Sequence, residues 1–310
     1  MSFAGIDIGY GYTKVVYDGG QFIFKTTVEP YIHSEKVFGK SPDVVYVNGN
    51  GYLVGPDALP RMQVTKDFVG SESYYAIIGY CLNEIYRKTN SVLSGIALGL
   101  PPALYNERKT ILLRNNLERA ELSINKNFIP IPDKVAFVPQ GVGAYIDFVY
   151  NNPEFVDKDV IVIDIGYYTV DMIFIKEGKF IPRASESYPS GMELLLSRIC
   201  SDFSEKYGEF ITPVLAESIL KKGSFTYFGK EYKFDAQHVL EKFYIPELAR
   251  RIKEYSITLK NNYFEIDSIS AIVITGGGAV YVKDMIEGAF IPDEPQFANA
   301  RGYKIYLQQL

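Results

Sequence analysis

Two short stretches carry the residues that could do chemistry. Residues 6–16 read IDIGYGYTKVV and residues 163–173 read IDIGYYTVDMI. In each, a strand-like apolar run ends in Asp-x-Gly and a second strand-like run follows after a tight turn. Asp7 and Asp164 stand at the carboxyl ends of these strands, where a carboxylate can hold a hydrated Mg²⁺. Gly9 and Gly11 permit backbone conformations that side chains would forbid. In a turn between two strands, successive N–H groups can face one hollow and bind an anion. Gly9, Tyr10, Gly11, Tyr12 and Thr13 are therefore candidate phosphate contacts, and Lys14 adds a positive charge suited to phosphate. Gly166, Tyr167, Tyr168 and Thr169 repeat the design. Either loop alone is readable as a strand ending in a turn. Two loops in matching strand contexts read as a clamp on a polyphosphate and its metal.

A third stretch, SAIVITGGGAVYVKDMI, predicts a strand, then Gly276-Gly277-Gly278, then a helix carrying Tyr281. Three glycines let a flat ring or a sugar approach the backbone, and a helix N-terminus favours phosphate nearby. The stretch has neither the G-x-G-x-x-G spacing of a dinucleotide fold nor the G-x-x-x-x-G-K-[ST] of a phosphate-binding loop.

The elements around these loops come in two sets. FAGIDIGY, YTKVVYD and QFIFKTT read as three strands in meander, with Asp18-Gly19-Gly20 as a turn. VVYVNGNGYLV reads as a hairpin about Asn48–Gly51, and residues 71–88 as a helix with Ser71 as N-cap. SGIALGL is a buried strand stopped by Pro101-Pro102. NERKTILLRNNL is helical, DKVAFVP a strand, and QGVGAYIDFVYN a helix opened by Gln140. After Asn151-Asn152-Pro153 the pattern restarts: DVIVIDIGY, YTVDMIFIK and KFIPRASES predict a second three-strand meander, with the helix GMELLLSRICSDFSEKY behind it. A supersecondary unit repeated after about 150 residues predicts two similar domains facing each other across a cleft.

The chain has 310 residues, 47% of them hydrophobic, which is long for one domain and comfortable for two. A net charge of −5 argues against a broad basic surface for nucleic acid. Cys81 and Cys200 read as buried thiols in a reducing cytosol, so the expected location is cytoplasmic. No secretion leader and no membrane span is expected. His33 and His238 have no Cys or His neighbour at metal spacing, and no Ser/His/Asp or Cys/His set is evident.

In their order along the chain, GIDIGYGYTKV, VPQGVGAYIDF, VIVIDIGYYTVDM, IVITGGGAVYV and FANARGYKIYL together resemble the superfamily of actin, the heat-shock chaperone ATPases and the sugar kinases. The PQFANARGY ending looks most like ParM-type actins, which segregate plasmids. The resemblance implies an α/β fold of two similar domains, a duplicated actin-like (ribonuclease H-like) fold around a nucleotide cleft. Domain I would span 1–150, with a closing helix 298–310 packing back on it, and domain II 151–297. By the same resemblance Asp7 and Asp164 would position Mg²⁺ through water, Lys14 would contact phosphate, and Gln140 would orient the attacking water. The backbone at Gly277 and Gly278 would lie near adenine and ribose, and Glu217 and Lys221 would serve the ribose and base. That pair is spaced i, i+4 on a helix, which is equally the spacing of a surface salt bridge. Tyr167-Tyr168 stand where the family often has glycines, and Tyr10 and Tyr12 crowd the first loop. These rings either cover the nucleotide or pack beneath it.

The implied activity is slow ATP hydrolysis coupled to a head-to-tail filament, with ATP or ADP and Mg²⁺ as cofactors. A DNA-binding adaptor protein is the expected partner, without direct contact to nucleic acid or membrane. A small-molecule kinase and a chaperone-like regulatory ATPase are the alternatives on the same fold. For the kinase, Asp171 is the nearby candidate for an acidic base.

Overall fold

The structure, a computed structural model, describes residues 1–32, 42–58, 68–227, 229–262 and 269–310. His33 lies outside them. The chain divides into two compact units, 1–151 with 297–310, and 152–296.

In the first unit, β1 (Phe3–Ile8), β2 (Tyr12–Tyr17) and β3 (Gly20–Lys25) form the expected antiparallel meander. After it come β4 (Val28–Pro30), β5 (Val44–Val47), β6 (Asn50–Val54), α1 (Glu72–Thr89), β7 (Gly95–Leu100) and α2 (Glu107–Arg119). Next are β8 (Leu122–Ile124), β9 (Asn127–Phe128), β10 (Lys134–Pro139) and α3 (Val142–Asn151). The main sheet has the order β10-β7-β1-β2-β3, with β7 and β10 parallel to β1. Parallel neighbours bring the carboxyl ends of β1 and β10 to one edge of the sheet. A second sheet, β4-β6-β5-β8-β9, packs against α1. The β5–β6 hairpin turns at Asn48-Gly49, both with positive φ (50° and 87°), as an Asn-Gly pair favours. Ser71 caps α1 by accepting from the Tyr74 N–H. Strands β4, β8 and β9 were not legible in the sequence: they have two or three residues each, too short for an alternating pattern to register.

The second unit opens with β11 (Val160–Ile165) and β12 (Val170–Lys176). The predicted third strand is broken into β13 (Lys179–Phe180) and β14 (Glu186–Tyr188), both paired with β12, with a 3₁₀ turn Pro182–Ala184 between them. Pro182 has no N–H for a ladder and its fixed φ suits that turn. Then follow α4 (Met192–Tyr207), α5 (Pro213–Lys222), the hairpin β15 (Ser224–Tyr227) and β16 (Lys230–Lys233), α6 (Ala236–Val239), α7 (Ile245–Asn262) and β17 (Ala271–Thr275). A π-turn, Leu240–Tyr244, joins α6 to α7. Pro246 explains it: in a regular helix its ring would meet the carbonyl four residues back, and a wider turn relieves that clash.

The sheet order is β13-β12-β11-β17, with β17 parallel to β11. Where the first unit has a fifth strand, this one has a single parallel bridge, Val273 to Phe290. That bridge corrects the reading of residues after Gly278. No α-helix follows there, only a 3₁₀ turn Ala279–Tyr281. The chain must return quickly so that Phe290 can exchange backbone hydrogen bonds with Ile272 and Ile274, and a helix would carry it away.

The last helix, α8 (Ala298–Gln309), belongs to the first unit and lies on β1, β7 and α3. Small residues make this possible. A Cβ on Gly5 would sit 1.9 Å from the Ala300 carbonyl oxygen, and one on Gly302 would sit 1.7 Å from that of Gly143. Among the described residues, no helix is long and apolar enough to cross a membrane.

Candidate functional site

The first half-site is built at the end of β1. Asp7 and Lys14 are register partners across β1 and β2, and Lys14 Nζ donates to Asp7 Oδ2 at 2.9 Å. Gln140 follows β10, and its Nε2 donates to Asp7 Oδ1 at 3.1 Å. Three residues singled out in the sequence thus share one carboxylate, itself 3% exposed. Gln140 lies in the turn before α3, which begins at Val142, so it precedes the helix it was expected to open. The turn itself closes by Gly9 N–H donating to Tyr12 O at 3.2 Å. Gly9 is not in the left-handed region; it is needed for space, since a Cβ there would sit 2.9 Å from Lys14 Nζ.

The Thr13 side chain turns away from the loop hollow. Its hydroxyl is fully buried and shares a 2.9 Å hydrogen bond with Thr26, so its side chain holds β2 to the segment after β3 instead of facing a ligand. Strand alternation explains this: Asp7 and Lys14 point to one face, and Thr13, next to Lys14, to the other. Tyr10 is 38% exposed, and Tyr12 is half-buried with Lys25 Nζ 6.0 Å from its ring.

The second half-site repeats the geometry with different charges. Gly166 N–H donates to Thr169 O at 2.9 Å, and Asp164 is the register partner of Asp171. Thr169 Oγ1 donates to Asp171 Oδ2 at 3.1 Å. Burial pushes the Asp171 carboxyl above its ordinary value, opposed by hydrogen bonds from Ser187 and Thr169. The two tyrosines of the loop differ in burial. Tyr167 packs partly into the core beneath the loop, and burial pushes its hydroxyl up to about 12; Tyr168 stands 38% exposed, its ring edge-on to Tyr167. The loop is seated on α4: the Met192 and Glu193 N–H groups donate to the carbonyls of Gly166 and Tyr167 at 3.0 and 2.7 Å. Behind it, Tyr244 of the π-turn donates to the Ser190 carbonyl at 3.0 Å.

Gly276 joins the glycine-rich loop to this half-site. Its φ is +84°, and a Cβ would meet Asp164 Oδ1 at 2.4 Å; next to it, Gly278 N–H donates to Ile165 O at 3.0 Å. Nothing lies within 4 Å of where a Gly277 Cβ would be, so that backbone is open to an approaching group. Glu217 and Lys221 do pair, at 2.7 Å on the surface of α5. That pairing raises the Lys221 pKa, and burial raises that of the Tyr281 hydroxyl.

Sequence reasoning missed Asp147, Asn299 and Arg301. Asp147 is buried on α3, and Arg301 of α8 donates to both its oxygens, with Nε at 2.9 and 3.1 Å and a nitrogen of the fork at 2.7 Å. The Asn299 side chain reaches α3 from α8. Their only sequence signal was membership in the two helical segments that flank Gln140 and close the chain.

The donor chemistry fits a nucleotide and its metal. The carboxylates of Asp7 and Asp164 are hard oxygen ligands of the kind Mg²⁺ takes, and Lys14 carries a charge for phosphate. Among the described residues there is no cluster of three or more His, Cys, Asp or Glu that could hold a metal ion.

Comparison with known proteins converges on one family. Residues 5–143 match the model for the N-terminal domain of actin-like proteins, and residues 162–288 that for the C-terminal part of archaeal actin homologues of MreB-like type. No curated protein sequence matches the chain. Among solved structures, the archaeal actin homologue Ta0583 superimposes with a TM-score of 0.79 at 21% identity, over 100% of this chain and 99% of that one. The actin-like protein Alp7A gives 0.78 at 14% identity, over 99% and 96%. A ParM filament from Clostridium botulinum gives 0.67 at 18% identity, over 100% and 99%. The two models between them take in both half-sites, and the fold agrees over the full length: the chain belongs to the actin-like proteins and resembles the archaeal actin homologues and ParM.

Proposed function

We propose that this protein is a slow ATPase that binds ATP with Mg²⁺ through both half-sites and assembles head to tail into nucleotide-gated filaments. The cluster of Asp7, Lys14 and Gln140 carries this reading, because it gathers a metal-directed carboxylate, a phosphate-directed ammonium and a carboxamide on one strand end. Two further findings support it: the Ta0583 homologue has been crystallised with ADP, and a ParM relative forms a 15-stranded filament. The cellular role we assign is segregation of a plasmid or other DNA, reached through a DNA-binding adaptor, in the cytoplasm.

Phosphoryl transfer to water needs positioning and charge neutralisation more than covalent chemistry. Bound Mg²⁺ would neutralise phosphate charge, with Asp7 and Asp164 holding its water shell. Lys14 would leave Asp7 to meet the phosphates, and Gln140 would orient the attacking water through its carboxamide. Glu217, Lys221, Tyr281 and the Gly276–Gly278 backbone would serve the ribose and base. Without a strong general base at the water, hydrolysis is slow, which suits a timer more than a metabolic kinase.

Sedimentation with ATP, a non-hydrolysable analogue and ADP tests the assembly. The expected result is a sharp critical concentration, lowest with ATP or the analogue. A monomer under all three, phosphorylating a small acceptor, would establish the kinase instead. Gln140→Ala should slow hydrolysis while sparing ATP affinity.

A further inference from the structure

We infer that Asn299 is a positioning residue for hydrolysis: from α8 it supplies the N-cap that α3 lacks, and so fixes the turn bearing Gln140. This rests on the ATPase reading above.

Four groups at the start of a helix need partners for their N–H, and the residue just before the helix normally provides one from its own side chain. Gly141 occupies that place before α3, at φ +78°, and has no side chain to offer. Asn299 Oδ1 takes its role. It accepts from Gly141 N–H at 2.9 Å and from Ala144 N–H at 3.1 Å, the latter being the third residue of the helix. Both bonds are buried, and Asn299 is 5% exposed.

Gln140 is held between anchors on both sides. Its own N–H donates to Leu100 O at 2.8 Å, at the end of β7. The N–H of the next residue goes to Asn299. Its carboxamide then reaches Asp7. Remove the Asn299 acceptor and Gly141, which tolerates many backbone conformations, becomes the weak link. The carboxamide of Gln140 would then sample positions away from the water. A displacement of about 1 Å in a positioning group can cost on the order of a hundredfold in rate.

The test compares Asn299→Ala with Asn299→Asp, whose carboxylate keeps the acceptor and sits favourably at a helix N-terminus. Steady-state ATP hydrolysis, ATP affinity and amide hydrogen exchange at Gly141 and Ala144 are measured for each. For Asn299→Ala we expect kcat down about tenfold, KM and ATP affinity within about twofold, and faster exchange at both amides. Asn299→Asp should recover most of kcat and of the exchange protection. A fold-wide defect would lower affinity and speed exchange throughout, and that result would overturn the inference. So would wild-type kcat in Asn299→Ala, or equal loss in both variants. A wild-type protein that hydrolyses no ATP would overturn the ATPase reading itself.

Discussion

The two Asp-bearing loops share a backbone and differ in charge. In each, a glycine N–H closes the turn onto the carbonyl three residues on, and an aspartate faces the next strand. Opposite Asp7 stands Lys14; opposite Asp164 stands Asp171. The first loop is electrically self-contained, its carboxylate already meeting an ammonium at 2.9 Å. In the second, Asp171 takes the place of the lysine, and its burial penalises the charged carboxylate. Thr169 and Ser187 ease it by hydrogen bonding to Asp171, yet burial still raises that carboxyl. The glycines differ too. Gly9 makes room for the Lys14 ammonium, whereas Gly276 takes a left-handed backbone against Asp164. Duplicating a backbone does not duplicate its electrostatics.

The largest effect should come from Gly276→Ala. The new Cβ would meet Asp164 Oδ1 at 2.4 Å and the Ile165 carbonyl oxygen at 2.5 Å, on a backbone at φ +84°. A loss of about 3 kcal/mol in denaturant unfolding is expected. Gly9→Ala meets the flexible end of the Lys14 chain at 2.9 Å and the Tyr12 carbonyl oxygen at 3.0 Å, without a left-handed backbone, and a smaller loss of about 1 kcal/mol is expected. Equal losses would show that backbone constraint does not distinguish the two loops.

Next comes Lys14→Met, which strands the Asp7 carboxylate without its ammonium. Partial solvent contact at Lys14 moderates the effect, and about 2 kcal/mol of destabilisation is expected. Adding Asp7→Asn should restore more than half of it in a double-mutant cycle. An additive double mutant would mean that the pair does not hold the first loop.

Asp171→Asn should act in the opposite direction, stabilising by about 1 kcal/mol or less at neutral pH. The folded protein holds this proton to higher pH than the unfolded chain does. Between the two values the native state binds more protons, so stability falls as pH rises through the window just above the ordinary carboxylate value. Melting temperatures across that window should fall less steeply in the variant. An unchanged slope would assign the descent to another group.

The smallest effect on stability belongs to Lys221→Ala. Its side chain is 57% exposed in the pair with Glu217, so about 0.5 kcal/mol or less is expected. The informative measurement is Mg-ATP affinity by calorimetry. A several-fold loss with stability intact would separate a ligand contact from a surface salt bridge, and unchanged affinity would leave only the latter.

Much of the fold was legible because it is written in local patterns. The two meanders, the Asn48-Gly49 turn and the Ser71 cap each depend on residues adjacent in sequence, where turn chemistry and side-chain alternation act directly. The same local reading failed after Gly278, where an apolar run looked helical and a long-range bridge to Phe290 decided otherwise. The Thr13–Thr26 hydrogen bond was likewise not legible, because belonging to a loop motif says nothing of which face of a strand a side chain takes.

What the sequence determined by itself was therefore the pair of strand ends carrying Asp7 and Asp164, with the turns that follow them. Which distant groups join them is set by tertiary packing. Gln140 meets Asp7 across 133 residues because β10 runs parallel to β1 with β7 between them. Asn299 caps Gly141 across 158 residues because Gly143 and Gly302 let α3 and α8 approach closely. Strand order and helix contact are set by burial of the whole core, which no short window of sequence contains.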